Sequence, residues 1–126
     1  MRLGKFLILI TLILLLAACS SPGADGMTTT VESYMQAKAQ GDAATIRQLL
    51  CSEMEAVLER ETRTFESVSD VRIDGMACRQ AGDKDVVTCE GKIVATYGAE
   101  DTEFPLGSYR VVEEDGEWKW CGEAAP

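Results

Sequence analysis

Beyond residue 26 the apolar positions first fall at helical spacing and then, from Val71 onward, at every second residue. Thr29 and Glu32 have the spacing of a capping box just before Val31, Tyr34 and Met35, which predicts a helix running to Ala39. Gly41 is a suitable C-terminal stop. Asp42 can cap a short second helix carrying Ile46, Leu49 and Leu50. Ser52 and Glu55 repeat the capping-box spacing. They open a third helix with Met54, Val57, Leu58 and Phe65 on one face and Glu59, Arg60 and Arg63 outside.

Val71 and Ile73 start the alternating pattern, and Met76 and Cys78 continue it in shifted phase, so Gly75 is expected at a bulge. Val87, Cys89, Gly91, Ile93, Ala95 and Tyr97 then share one strand face, with Thr88, Glu90, Lys92 and Thr96 on the other. The acidic stretch from Gly98 to Glu103 reads as a loop. Phe104 and Leu106 begin a third run, and Tyr109 and Val111 continue it beyond Gly107 in shifted phase. Asp115-Gly116 signals a tight hairpin, and Trp118 to Cys121 returns as the last strand. The expected fold is α+β, with three N-terminal helices packed on a curved four-stranded antiparallel meander. The folded unit is expected over 27–122, with a tail at 123–126.

The first residues follow neither pattern. Arg2 and Lys5 precede an apolar run from Phe6 to Ala18 broken only by Thr11. A spanning helix needs about twenty apolar residues, so this shorter run reads as the core of a signal peptide. It ends in Leu16-Ala17-Ala18-Cys19, which resembles the lipobox of bacterial lipoproteins. That resemblance implies removal of residues 1–18 and acylation of Cys19, which then holds the chain to membrane lipid. Residues 19–26 are small and polar and read as a flexible tether. The resemblance places the protein on the extracytoplasmic side of the cell membrane or outer membrane. A soluble secreted protein cut at Ala-x-Ala is the other reading of the same residues.

Charge and composition narrow the function. The chain of 126 residues has a net charge of −9 and no histidine. Without residues 1–18 it keeps ten basic and twenty-one acidic residues, a net of −11. Such a balance excludes nucleic acid, which needs clustered Lys and Arg. The missing histidine removes the commonest general base and metal ligand. In an oxidising compartment the four remaining cysteines suggest disulfides. A hairpin centred on Asp83-Lys84 sets Cys78 opposite Cys89, which leaves Cys51 for Cys121. No Cys-x-x-Cys spacing supports zinc, and a catalytic thiol would lack its histidine. The acidic run Glu100-Asp101-Thr102-Glu103 lacks the spacing of a calcium loop and reads as solvated. No metal or cofactor is implied.

One conflict stands in this reading. A two-residue turn at Asp115-Gly116 puts Trp118 and Trp120 on the face of Tyr109 and Val111, and Cys121 on the other. Either the turn is longer, or the helices cover the face that carries Cys121.

Three helices followed by a meander, with Tyr34-Met35-Gln36-Ala37-Lys38-Ala39-Gln40-Gly41-Asp42, Leu49-Leu50-Cys51 and Glu114 to Cys121, resemble the nuclear transport factor 2-like superfamily. The resemblance implies a cone with an open mouth, and small lipoproteins of that superfamily often pair a Cys after the second helix with one closing the last strand. Enzymes of that fold use a pocket Asp or His with a Tyr. Here Tyr34 and Tyr97 are candidates to face the cone, the acidic residues fall mostly in caps, turns or the solvent side of the alternation so that none is assigned to its inner face, and Asp42 is read as a helix cap. Tyr34, Tyr97, Tyr109, Trp118 and Trp120 are the candidate pocket for a small apolar ligand. The expected role is a non-enzymatic binding or scaffold module. The alternatives are a protein-interaction module of the cell envelope, which needs an uncharged patch on the outer sheet face, and a ketosteroid-isomerase-like lyase or isomerase.

Overall fold

The computed structural model describes residues 23–125. The signal-peptide segment, the lipobox and Cys19 lie outside the described residues. Helix α1 spans Ala24–Gln40, so it begins inside the stretch expected as a tether, and Thr29 and Glu32 lie within it rather than at its start. Its N-cap, Gly23, makes no side-chain cap bond. Tertiary packing sets this end instead: Met27 is buried, and Gly26 lies against the Trp118 ring, where a Cβ would sit 3.0 Å from Cδ1. The buried face runs through Met27, Val31, Tyr34 and Met35 at helical spacing. Gly41 closes the helix in the left-handed conformation (φ 68°), with the Asp42 N–H donating to the Ala37 carbonyl.

Asp42 caps α2 (Ala43–Leu49) by accepting from the Thr45 backbone N–H and hydroxyl. The expected third helix is divided. Ser52–Val57 forms a 3-10 segment and only Leu58–Thr62 is α-helical (α3), so Phe65 lies beyond its end. The Ser52 cap is made by Glu114 rather than Glu55: its carboxylate accepts from the Ser52 N–H at 3.0 Å and hydroxyl at 2.8 Å. A carboxylate from a distant strand thus replaces the local cap.

The sheet has five antiparallel strands rather than four: β1 (Asp70–Gln80), β2 (Val86–Tyr97), β3 (Glu100–Pro105), β4 (Ser108–Glu114) and β5 (Glu117–Glu123). The acidic stretch expected as a loop is β3. Its charges find partners on β1 and β2: Lys92 pairs with Glu103 at 2.6 Å, and Asp101 accepts from Thr96 and pairs with Arg72. The strand order is β1-β2-β4-β5, with β3 also on β2. One edge of β2 therefore serves two partners, β4 over Val86–Thr88 and β3 over Lys92–Tyr97.

Gly91 lies between those two stretches and faces the bulge at Gly75. Asp74 pairs with Lys92 and Ala77 with Glu90, so Gly75 and Met76 together oppose Gly91. A Cβ on Gly91 would meet the carbonyl oxygens of Asp74 and Gly75 at 2.6 Å, and its φ is 100°. Glycine is required there on both counts.

Both disulfides are formed. Cys78 and Cys89 face each other in the β1–β2 register, with Cα atoms 4.0 Å apart. Cys51 and Cys121 are joined across 70 positions. The hairpin turn is the two-residue one, with Asp115 and Gly116 both at positive φ. The conflict over Cys121 is removed sideways. Leu50 forms a parallel bridge to Trp120, and the Cys51 N–H donates to the Trp120 carbonyl at 2.9 Å. Cys51 therefore lies beside β5 in parallel register with Cys121, and the two meet laterally along the edge rather than through the helix-covered face. A bulge follows: Val111 pairs with Trp120 but Tyr109 with Glu123. Glu123 and Ala124, expected in the tail, are held by β4. The core lies between α1 and the inner sheet face, around Tyr34, Val87, Val111 and Trp120.

Candidate functional site

A cavity of about 550 Å³ opens between the ends of α1 and α3 and the inner face of β2–β5. Its apolar wall comes from Met35, Ile93, Leu106, Tyr109 and Trp120, and its rim from Phe65, Tyr97 and Phe104. Phe65 and Phe104 meet edge to face at 5.8 Å, and Tyr97 and Phe104 are the large apolar side chains most exposed among the described residues. The volume lies within the range of small-molecule sites.

The polar end of the cavity is assembled from two helices. Tyr34 and Lys38 stand one turn apart on α1, and Glu61 comes from α3. Glu61 is only 5% exposed. Its Oε2 accepts from the Tyr34 hydroxyl at 2.8 Å and pairs with the Lys38 ammonium at 2.8 Å, while Arg60 stands 3.8 Å from Oε1. A buried carboxylate needs such partners, since leaving it unpaired costs several kcal/mol. The Tyr34 phenol is held far above its ordinary range, first by burial and then by hydrogen bonding to and the charge of Glu61. Burial also raises the Tyr109 phenol, whose oxygen accepts from the Gly107 N–H.

Of the five aromatic residues expected at a pocket, Tyr97, Tyr109 and Trp120 line this one. Tyr34 stands behind the wall, stacked on Trp120 at 4.0 Å between centroids. Trp118 is elsewhere, against Gly26 near the start of α1. The sequence assigned no Asp or Glu to the inner face, whereas Glu61 lines the cavity with Lys38, and Glu123 of β5 also borders it. A signal for it existed: Leu58, Glu61 and Phe65 are spaced by three and four, so a carboxylate interrupts an apolar helical stripe. Lys38 follows Val31, Tyr34 and Met35 on the buried face of α1 in the same way.

Other clusters resolve into structural pairs. Cys51, Glu53 and Cys121 bring three ligand-type atoms within 4.8 Å, but the two sulfurs are bonded to each other. The outer sheet face carries Arg72 with Asp74 and Asp101, Arg79 with Glu90, and Lys92 with Glu103. The uncharged patch that a protein-interaction face would need is replaced on β1–β3 by this lattice.

No family model and no curated protein matches the chain. Solved structures do match it, among them the following two. A SEC-C motif containing protein from Rhodopseudomonas palustris aligns with a TM-score of 0.55 and 16% identity, over 80% of this chain and 81% of its own. A candidate dehydratase from the NTF2-like family of Streptomyces avermitilis aligns with a TM-score of 0.55 and 13% identity, over 80% and 97%. At such identities the likeness shows the fold alone, one that this chain shares with that member of the NTF2-like family over 80% of its length.

Proposed function

We propose that the protein is a lipid-anchored extracytoplasmic module that binds a small, largely apolar ligand in the cavity between α1, α3 and the sheet. The observation that carries this reading is a pocket with aromatic rim and apolar walls that ends on Glu61 and Lys38, with the Tyr34 hydroxyl holding Glu61 from behind. Such a lining favours apolar ligands by burial and leaves a few fixed polar groups to orient them. The charged outer face of β1–β3 favours a ligand over an apolar protein partner at the sheet.

The anchoring half of the proposal rests on Leu16-Ala17-Ala18-Cys19 and is supported by the disulfides. No helix among the described residues is long and apolar enough to cross a membrane. Two or more acyl chains on Cys19 would hold the protein stably. Intact mass of the cell-purified chain tests it. Loss of residues 1–18 with added acyl mass is expected, and an unmodified Cys19 overturns it.

Ligand binding is tested by titrating the protein with the neutral hydrophobe Nile red. Saturable binding is expected, and Thr64→Trp, which plugs the exposed rim, should abolish it. Binding unaffected by the plug would place the dye outside the cavity and sink the reading.

A lyase or isomerase is the second reading, favoured by a carboxylate, Glu61, that lines the cavity and is hydrogen-bonded to a phenol, Tyr34. Against it stands the engagement of both Glu61 oxygens, Oε2 by Lys38 and Tyr34 and Oε1 by Arg60 at 3.8 Å, which disfavours the carboxylate as a base for a substrate proton. The two readings separate on Glu61→Gln. A binding module keeps its ligand, whereas an enzyme loses turnover by several powers of ten.

A further inference from the structure

Two cations share one carboxylate at the polar end of the cavity. Lys38 pairs with Glu61 Oε2 at 2.8 Å, and Arg60 stands 3.8 Å from Oε1, beyond hydrogen-bond reach. The Tyr34 hydroxyl donates to the same Oε2. Glu61 is thus occupied and nearly buried, whereas 20% of the Lys38 side chain and 70% of the Arg60 side chain are exposed. Both cations line the cavity, and the Lys38 ammonium stands 5.9 Å from the ring centroid of Trp120, one of its walls. An ammonium has three donors and a guanidinium five, so one carboxylate leaves most of them for another acceptor. The second acidic residue of the lining, Glu123, belongs to β5 and pairs with Tyr109 of β4, on the sheet side of the cavity.

We infer that the ligand of this cavity is a single-chain amphiphile with one carboxylate, whose head lies between Lys38 and Arg60 and whose chain lies against Met35, Ile93, Leu106 and Tyr109. The inference rests on the ligand-binding reading and adds the ligand's chemistry. A ligand carboxylate brings the polar end to two cations and two anions, and its two oxygens match the guanidinium fork. A ligand ammonium would meet both cations with Glu61 already taken. A neutral head would leave the excess positive charge in place. The chain as a whole is at −9, which by itself would favour a cationic ligand. At physiological salt that field fades over about 8 Å, so the charges lining the cavity decide.

The test uses the full chain carrying Cys19→Ser, which keeps acyl groups out of the assay. It reads the displacement of Nile red by decanoate and by decylammonium at about 0.15 M salt, each below its micelle concentration. The two probes share a chain length and differ in the sign of the head. Decanoate should displace the dye at about tenfold lower concentration, the worth of one charge-assisted hydrogen bond. Arg60→Gln, at an exposed position, should bring the two probes close to level, and Arg60→Lys should keep most of the preference.

Decylammonium displacing the dye as well as decanoate, or neither probe displacing it, would overturn the inference and leave the ligand-binding reading standing on the dye. A preference for decanoate that Arg60→Gln leaves untouched would place the head group elsewhere and overturn it too. Failure of Nile red itself to bind would overturn both readings together.

Discussion

Glu61 shows how much a single side chain decides here. It is nearly fully buried and satisfies two groups from another helix, so its removal strands both the Tyr34 hydroxyl and the Lys38 ammonium. Glu61→Ala should lower the unfolding free energy by about 3 kcal/mol in urea titrations. Lys38→Met with Glu61→Leu, which removes both charges and keeps the volume, should recover most of that loss. Tyr34 links the same cluster to pH. Its phenol is held above its ordinary range, chiefly by burial, whereas in the unfolded chain it ionises near pH 10. Below that pH its contribution to stability is complete. Above it the unfolded chain releases a proton that the folded chain keeps, so stability falls as pH rises. Urea unfolding at pH 9 and pH 11 should show that fall, and Tyr34→Phe should make it shallower. The aromatic half of this site was legible as strand alternation, whereas Glu61 and Lys38 show in the sequence only as charges interrupting apolar helical stripes. Charged residues on a helix usually face water, and only the packing of α1 against α3 places these two inside.

At the level of elements, the glycine positions carry the curvature. The phase shift at Gly75 is visible in the sequence because apolar alternation breaks there. The need for Gly91 is not visible, since it belongs to an unbroken alternating run. The reason appears only in the pairing, where the bulge of β1 presses two carbonyl oxygens into the space of its missing side chain. Gly91→Ala should destabilise the protein by about 2 kcal/mol, measured by thermal or urea unfolding. Gly82→Ala is a useful comparison: it shares the positive φ but has nothing within 4 Å, so only the backbone strain should register. Asp42 makes the corresponding local point for helices. Its carboxyl lies below the usual range because Thr45 donates to it from both hydroxyl and backbone, so its capping contribution is present above about pH 4 and lost as pH falls further. Asp42→Ala should lower the melting temperature at pH 7, and much less at pH 2. β3 is the element that local pattern misjudged. Its acidic residues have low strand propensity, and they form a strand because Arg72, Lys92 and Thr96 supply partners across the sheet.

Across the whole molecule the two disulfides act over different ranges. Cys51–Cys121 closes a loop of 70 positions and ties the helical half to the last strand, while Cys78–Cys89 joins strands that already pair. On the chain-entropy argument the first bond contributes about 4 kcal/mol and the second about 3 kcal/mol. Replacing Cys51 and Cys121 by Ala should therefore cost more in urea stability than replacing Cys78 and Cys89. An equal loss would show that the long bond does not act by constraining the unfolded chain. The sequence by itself determined the α+β order, the buried face of α1, the bulge at Gly75, the Asp115-Gly116 hairpin and the Cys78–Cys89 pairing. Each is encoded by neighbours two to a dozen residues apart, through side-chain period and turn chemistry. Tertiary structure alone decided that Cys51 reaches Cys121 along a sheet edge, that an acidic stretch becomes a strand, and that Glu61 and Trp120 meet one cavity. Those outcomes depend on groups far apart in the chain, whose charges and carbonyls become partners only when loop closure brings them together.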